Sequence, residues 1–212
     1  MKYDVLLFDL DGTLTESGIG ITRSVAYALR KHGIEETDQA KLDRFVGPPL
    51  IDSYIRYYGF TSEQARQGVE DFREYFERQG MFENRVYDGV VAMLEGLKAA
   101  GVRCIVATSK PEQYALQILE RFGLLPYFER VAGATMDEKR TDKTEVITYA
   151  LEGVEPDCRV LMVGDREHDI LGAKANGLDS VGVLYGYGSR EELESVGATY
   201  IVSSPEEILT VI

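Results

Sequence analysis

Short apolar runs alternate with helix-periodic segments over most of this chain. Tyr3–Leu10, Val102–Thr108, Phe128–Val131, Val160–Gly164, Ser180–Leu184 and Tyr200–Val202 read as strands. The longer runs are apolar at successive positions, which predicts strands buried on both faces and therefore a parallel sheet covered by helices. Helices are expected between them. Lys110-Pro111 puts a proline in a first turn, ahead of an apolar face made by Ala115, Ile118, Leu119 and Phe122. Ser189…Glu192 and Ser204…Glu207 both match a capping box, the second with Pro205 at the first helical position.

The alternation breaks between Thr15 and Asn84, where no run reads as a strand. Ile21, Val25, Ala28 and Leu29 share one helical face, and Thr61 with Gln64 caps a helix carrying Ala65, Val69, Phe72 and Phe76. Gly33, Gly47-Pro48-Pro49 and Gly59 divide the stretch into about four helices. The pattern predicts an α/β fold with a doubly wound parallel sheet, formed by residues 1–14 and 85–212. A small all-α cap, 15–84, is inserted after the first strand, with hinges near Thr15–Gly20 and Asn84–Gly89. No internal repeat is present.

Composition narrows the partners. The 212 residues suffice for one good-sized domain and a small second one. A net charge of −13 opposes a nucleic acid polymer as partner, because phosphate recognition needs a basic face. The same charge does not exclude a small anionic substrate, since a metal ion, a lysine and backbone N–H groups can reverse the field within one cleft. The N-terminal apolar run is short and meets Asp9 and Asp11 at once, and no uninterrupted span approaches membrane length. A soluble cytoplasmic protein without membrane association is expected. Cys104 and Cys158, far apart and without histidines at zinc spacing, read as buried, reduced thiols.

Two acidic clusters carry the candidate chemistry. Asp9-Leu10-Asp11-Gly12-Thr13-Leu14 ends the first strand; residues i and i+2 of an extended segment point the same way, so both carboxylates face one site. In an open parallel sheet that end of the strand is where ligands bind. Gly12 permits a tight turn that brings N–H groups close to an anion. A calcium loop is excluded by the position of the glycine, fourth rather than sixth. The second cluster, Val163-Gly164-Asp165-Arg166-Glu167-His168-Asp169, puts two acids four residues apart, on one face of a helix that starts there. Acids at a helix start are common for dipole reasons alone. Together with Asp9 and Asp11, however, they offer the few oxygen ligands that suit Mg²⁺. His168 reads as a helix-surface residue.

Thr108-Ser109, at the end of the strand Val102–Thr108, supplies a hydroxyl and N–H donors, although it also suits a helix cap. Lys143 opens a helix, where a cation is electrostatically disfavoured; it is either solvated or set against a local negative charge.

Taken in order, Asp-x-Asp-Gly-Thr, Thr-Ser after a strand, Lys, and Gly-Asp-x-x-x-Asp resemble the four motifs of the haloacid dehalogenase superfamily. The resemblance covers the whole chain, with 15–84 matching that superfamily's α-helical cap. Phe45-Val46-Gly47-Pro48-Pro49-Leu50 and Tyr185-Gly186-Tyr187-Gly188-Ser189 make it most similar to the phosphoglycolate phosphatase-like branch and its 5′-nucleotidase-like members.

The resemblance implies a phosphatase that hydrolyses small phosphate monoesters through an aspartyl-phosphate. Asp9 is then the nucleophile, and Asp11 protonates the leaving oxygen and later activates water. Thr108, Ser109, Gly12 and Lys143 bind the phosphoryl group. Mg²⁺ takes Asp9, the backbone carbonyl of Asp11 and Asp165, with Asp169 either a direct ligand or an anchor behind one. A phosphomutase, a dehalogenase and a phospho-accepting signalling domain are the rival readings. A dehalogenase leaves Asp11 unexplained, and a signalling domain has no need of a helical lid. Arg23, Arg44 and Gly47 are the candidates for substrate specificity, although both arginines also suit surface ion pairs. The expected partner is a small phosphorylated metabolite, acted on by a monomer or a homodimer.

Overall fold

Val5-Leu6-Leu7-Phe8 form a strand whose four residues are all fully buried, as a run apolar at every position requires when both faces of a sheet are covered. The computed structural model describes residues 2–137 and 139–212. Along the chain its elements are β1 (Val5–Phe8), β2 (Thr15–Glu16), α1 (Gly18–Lys31), α2 (Gln39–Leu42), α3 (Leu50–Tyr58), α4 (Ser62–Arg78) and β3 (Arg85–Val86). They continue with α5 (Val90–Ala99), β4 (Arg103–Pro111), α6 (Glu112–Arg121), β5 (Arg130–Ala134), α7 (Lys143–Ala150) and β6 (Val160–Gly164). α8 (Glu167–Ala175), β7 (Asp179–Val183), α9 (Arg190–Ser195) and β8 (Tyr200–Val202) complete the order.

Two compact units emerge, one made by residues up to Thr15 together with Val86–Ile212, the other by Glu16–Arg85. In the first, six strands form a parallel sheet in the order β5-β4-β1-β6-β7-β8. The chain winds outward from β1 in one direction and then, from β6, in the other. The loops after β1 and β6 therefore flank the point where winding reverses, the place such sheets offer to ligands. Val5 and Leu7 pack with Ile105, Ala107, Met162, Val146 and Ile147 on one face. Phe8, on the other, meets Phe128 edge-on.

The second unit is helical. All eight residues expected on apolar faces, from Ile21 to Phe76, are buried. α4 packs against α1 and α3, and Thr61 and Gln64 make both halves of the capping box. The sequence pattern shows no strand from Thr15 to Asn84, yet Thr15–Glu16 forms a short strand that pairs with Arg85–Val86, at the two chain crossings between the units.

Several boundaries differ from the expectations. β1 stops at Phe8 rather than Leu10, so Asp9 and Asp11 sit in the following loop and the alternation argument does not apply to them. β4 runs past Thr108, with an irregular register between Thr108 and Pro111, and α6 begins only at Glu112. Pro111 thus precedes the helix instead of lying in its first turn. β5 begins at Arg130, where the backbone first pairs with β4. Ser189 caps α9 by accepting from Glu192 N–H, but the Glu192 carboxylate accepts from Arg166 and Glu167, so only half of the expected box forms. Glu206–Thr210, however, is a 3₁₀ turn, and the Glu207 carboxylate accepts from Ser203 N–H. Cys104 is buried, its thiol pushed up to about 12 by burial, whereas Cys158 is only partly covered; neither is in a disulfide. No helix among the described residues is long and apolar enough to cross a membrane.

Candidate active site

The loops after β1, β4 and β6 and the first turn of α7 bring the charged groups together. Asp9 follows β1 directly, and its N–H donates to Val163 of β6 at 2.9 Å, which ties the loop to the strand that carries the second acidic cluster. Lys143, the first residue of α7, sends its ammonium back under the sheet's end. Nζ lies 2.8 Å from Asp9 Oδ1 and 2.7 Å from Asp169 Oδ1, and donates to the carbonyl of Ala107 at 3.1 Å. Three oxygens thus surround an ammonium group that carries three protons. The lysine is not solvated; its side chain is 5% exposed. Burial works against its charge, but Asp169 and Asp9 outweigh that and hold it above the ordinary lysine range.

Asp9, Asp165 and Asp169 present carboxylate oxygens within 4.8 Å of one another, all buried. Burial and the charges of Asp169 and Asp9 push the Asp165 carboxyl well above the usual range. Burial also raises Asp169, against the pull of Lys143. One lysine cannot offset three buried carboxylates, and a divalent cation with oxygen-only ligands is the group whose charge and chemistry fit. Asp169 Oδ2 accepts from Arg166 N–H at 3.0 Å, while Oδ1 is ion-paired with Lys143 but makes no hydrogen bond. Gly164 leaves room for it, since a Cβ there would overlap the Asp169 carboxylate.

The Asp11 side chain is not part of that cluster. It turns to Lys110, whose Nζ lies 2.7 Å from Asp11 Oδ2. Gly12 adopts φ +86°, a conformation that favours glycine, and packs against Asp165. Its N–H donates to Thr15 O at 2.8 Å, so it is spent in the turn and is not free for an anion. Thr108 is buried, its hydroxyl accepting from Lys110 N–H at 3.2 Å, and Ser109 is half-buried beside it. His168 is half-buried on α8.

The specificity candidates belong to the helical unit. Arg23 is exposed and pairs with Glu83 at 2.7 Å. Arg44 lies over the Tyr57 ring, 5.6 Å from its centroid. Gly47 takes φ +105°. Arg23 thus makes a surface ion pair, and Arg44 lies against a half-buried aromatic.

Sequence reasoning did not single out Lys110 as a site residue. A lysine before a proline looks like a helix-start residue; the irregular register of β4 is what turns it toward Asp11, as bulges commonly re-aim a side chain. It also missed any role for the loop after β7, where Tyr187 N–H donates to Asp165 Oδ2 at 2.8 Å. The Tyr-Gly-Tyr-Gly spelling was the available signal.

Comparison with known proteins agrees with this geometry. A family model described as haloacid dehalogenase-like hydrolase matches residues 6–183. A 5′-nucleotidase of Pseudomonas aeruginosa is 44% identical over 202 residues, 94% of this chain and 91% of that protein. The tyrosine-protein kinase PtkA of Mycobacterium tuberculosis is 38% identical over 198 residues, 93% of this chain and 67% of that protein. A solved structure described as a predicted phosphatase from Clostridium acetobutylicum superposes with a TM-score of 0.95 at 47% identity, covering 100% of this chain and 98% of that one.

Proposed function

The chain belongs to the haloacid dehalogenase-like hydrolase family, and from that premise we propose that it is a Mg²⁺-dependent phosphomonoesterase working through a phosphorylated Asp9. The observation that carries this is the buried Lys143 ammonium bridging Asp9 and Asp169. A carboxylate held between a lysine and two further acids, at the ligand end of the sheet, is oriented for attack rather than for solvation.

The positions of the side chains support the following steps. Asp9 attacks phosphorus, the P–O bond to the leaving group breaks, and Asp11 delivers a proton to the departing oxygen. Asp11 then takes a proton from water, whose oxygen attacks the phosphorylated Asp9 and frees phosphate. Lys143 balances the charge of the phosphoryl oxygens while the Thr108 hydroxyl and Ser109 N–H donate to them. Asp9, Asp165 and the carbonyl of Asp11 would hold Mg²⁺, which would supply further charge neutralisation. Asp169, ion-paired to Lys143 through Oδ1 and hydrogen-bonded to Arg166 N–H through Oδ2, anchors Lys143 and the start of α8.

The substrate is a small phosphorylated metabolite of the nucleoside 5′-monophosphate or phosphoglycolate type. The likeness to the Pseudomonas aeruginosa 5′-nucleotidase supports testing nucleotides first. The deciding experiment measures inorganic phosphate released by purified protein with Mg²⁺ from nucleoside monophosphates, phosphoglycolate, sugar phosphates and pyrophosphate. Release that disappears in Asp9→Asn supports the proposal. Sugar phosphate isomerised without release points instead to a mutase, and a phospho-Asp9 lasting minutes without turnover points to a signalling domain. Phosphate passed from ATP to tyrosine points to the chemistry named for PtkA.

A further inference from the structure

The loop Tyr185–Gly188, between β7 and α9, touches the site at more points than a connection requires. Tyr187 N–H donates to Asp165 Oδ2 at 2.8 Å, and the Thr13 hydroxyl lies 3.5 Å from Asp165 Oδ1, so the carboxylate is held at both oxygens. The Tyr185 hydroxyl donates to Thr13 O at 3.0 Å, which ties the same loop to the Asp9–Thr13 turn. Gly186 lies so close that a Cβ would overlap Gly12 O and the Asp165 side chain, and a Cβ at Gly188 would overlap Asp165 O. One helix further on, Glu192 Oε1 accepts from Arg166 Nε at 2.8 Å and from Glu167 N–H at 2.9 Å, holding the start of α8.

We infer that Tyr185–Gly188 with Glu192 forms a collar that positions Asp165 as a metal ligand. The inference rests on the metal reading above. The collar holds the Asp165 carboxylate in place beside Asp9 and Asp169, through a close backbone approach that leaves no room for a Cβ at 186 or 188. None of its residues meets the metal; they act through Asp165. Contacts of this kind behind a ligand are commonly worth about 10–100-fold in metal affinity.

Mn²⁺ binding followed by electron paramagnetic resonance tests this on the whole chain without substrate, alongside thermal melting. Wild type is expected to bind Mn²⁺ and Asp165→Ala to lose it. Gly186→Ala is expected to weaken Mn²⁺ binding about 10-fold or more and to lower the melting temperature, while Tyr185→Phe weakens binding by a few-fold with a melting temperature near that of wild type. A folded Gly186→Ala that binds as tightly as wild type overturns the collar and leaves the metal reading intact. If Gly186→Ala does not fold, Tyr185→Phe decides, and unchanged affinity there overturns it. Wild type and Asp165→Ala binding alike, or neither binding, overturns the metal reading and the collar with it.

Discussion

Lys110 Nζ lies 2.7 Å from Asp11 Oδ2, with the two side chains only 6% and 10% exposed. Asp11 Oδ1 has no hydrogen-bond partner among the described residues. One oxygen of the proposed proton carrier is therefore clamped and the other left open, which fixes the direction in which it can serve. Lys110→Met is expected to lower kcat/KM on alkyl phosphates about 10- to 100-fold, the cost of a misplaced reacting group, and Lys110→Arg less. Steady-state phosphate release with a melting control checks this. An unchanged kcat/KM in Lys110→Met removes Lys110 from the site.

Asp9→Asn is expected to abolish turnover and to keep the fold, since asparagine matches the shape but is not an anionic nucleophile. Circular dichroism and phosphate release on one preparation decide it. Near-normal activity would falsify the covalent route.

Lys143→Ala leaves Asp9 and Asp169 facing each other, buried and without their shared cation. Removing one partner of a buried ion pair costs about 3–5 kcal/mol. Denaturant unfolding in metal-free buffer should show a loss of that order, and Mg²⁺ should restore part of it. Unaltered stability would mean that the carboxylates are relieved in another way.

Chelation is expected to remove activity, and Mg²⁺ to restore it better than Ca²⁺. Calcium takes more ligands at looser geometry than a few carboxylates and an in-line attack accommodate. Activity titrated with each ion after EDTA treatment provides the measurement, and full turnover in metal-free buffer contradicts the assignment.

In the helical unit, Thr61→Ala removes the side-chain acceptor of Gln64 N–H, one half of the capping box of α4. A loss of about 1 kcal/mol is expected. Chemical denaturation reads it, and a loss well below that value would show that packing against α1 and α3 alone holds the helix start.

The two kinds of information divide along a physical line. Val160–Gly164 was legible residue by residue, because a strand buried on both faces must be apolar at every position, and the partly covered edge strand Tyr200–Val202 from its short β-rich apolar run. The parallel sheet was legible from the alternation of such runs with helical periods, and the acids after β1 and β6 from their place at the ends of apolar runs, although the i, i+2 spacing of Asp9 and Asp11 did not put both carboxylates in one cluster. Each of these is a local property, written within a few consecutive residues.

Lys110, the Tyr185–Gly188 loop and the fate of the Gly12 N–H were not written that way. An irregular register in β4 turns Lys110 toward Asp11, 99 positions earlier in the numbering. Tyr187 meets Asp165 across 22 positions, and Glu192 meets Arg166 across 26. The sequence by itself determined which groups exist, which elements carry them and which end of the sheet they reach. Which oxygen of which carboxylate faces which donor was decided only in three dimensions. A pairing between distant segments depends on strand register and backbone approach, and neither leaves a period in the chain.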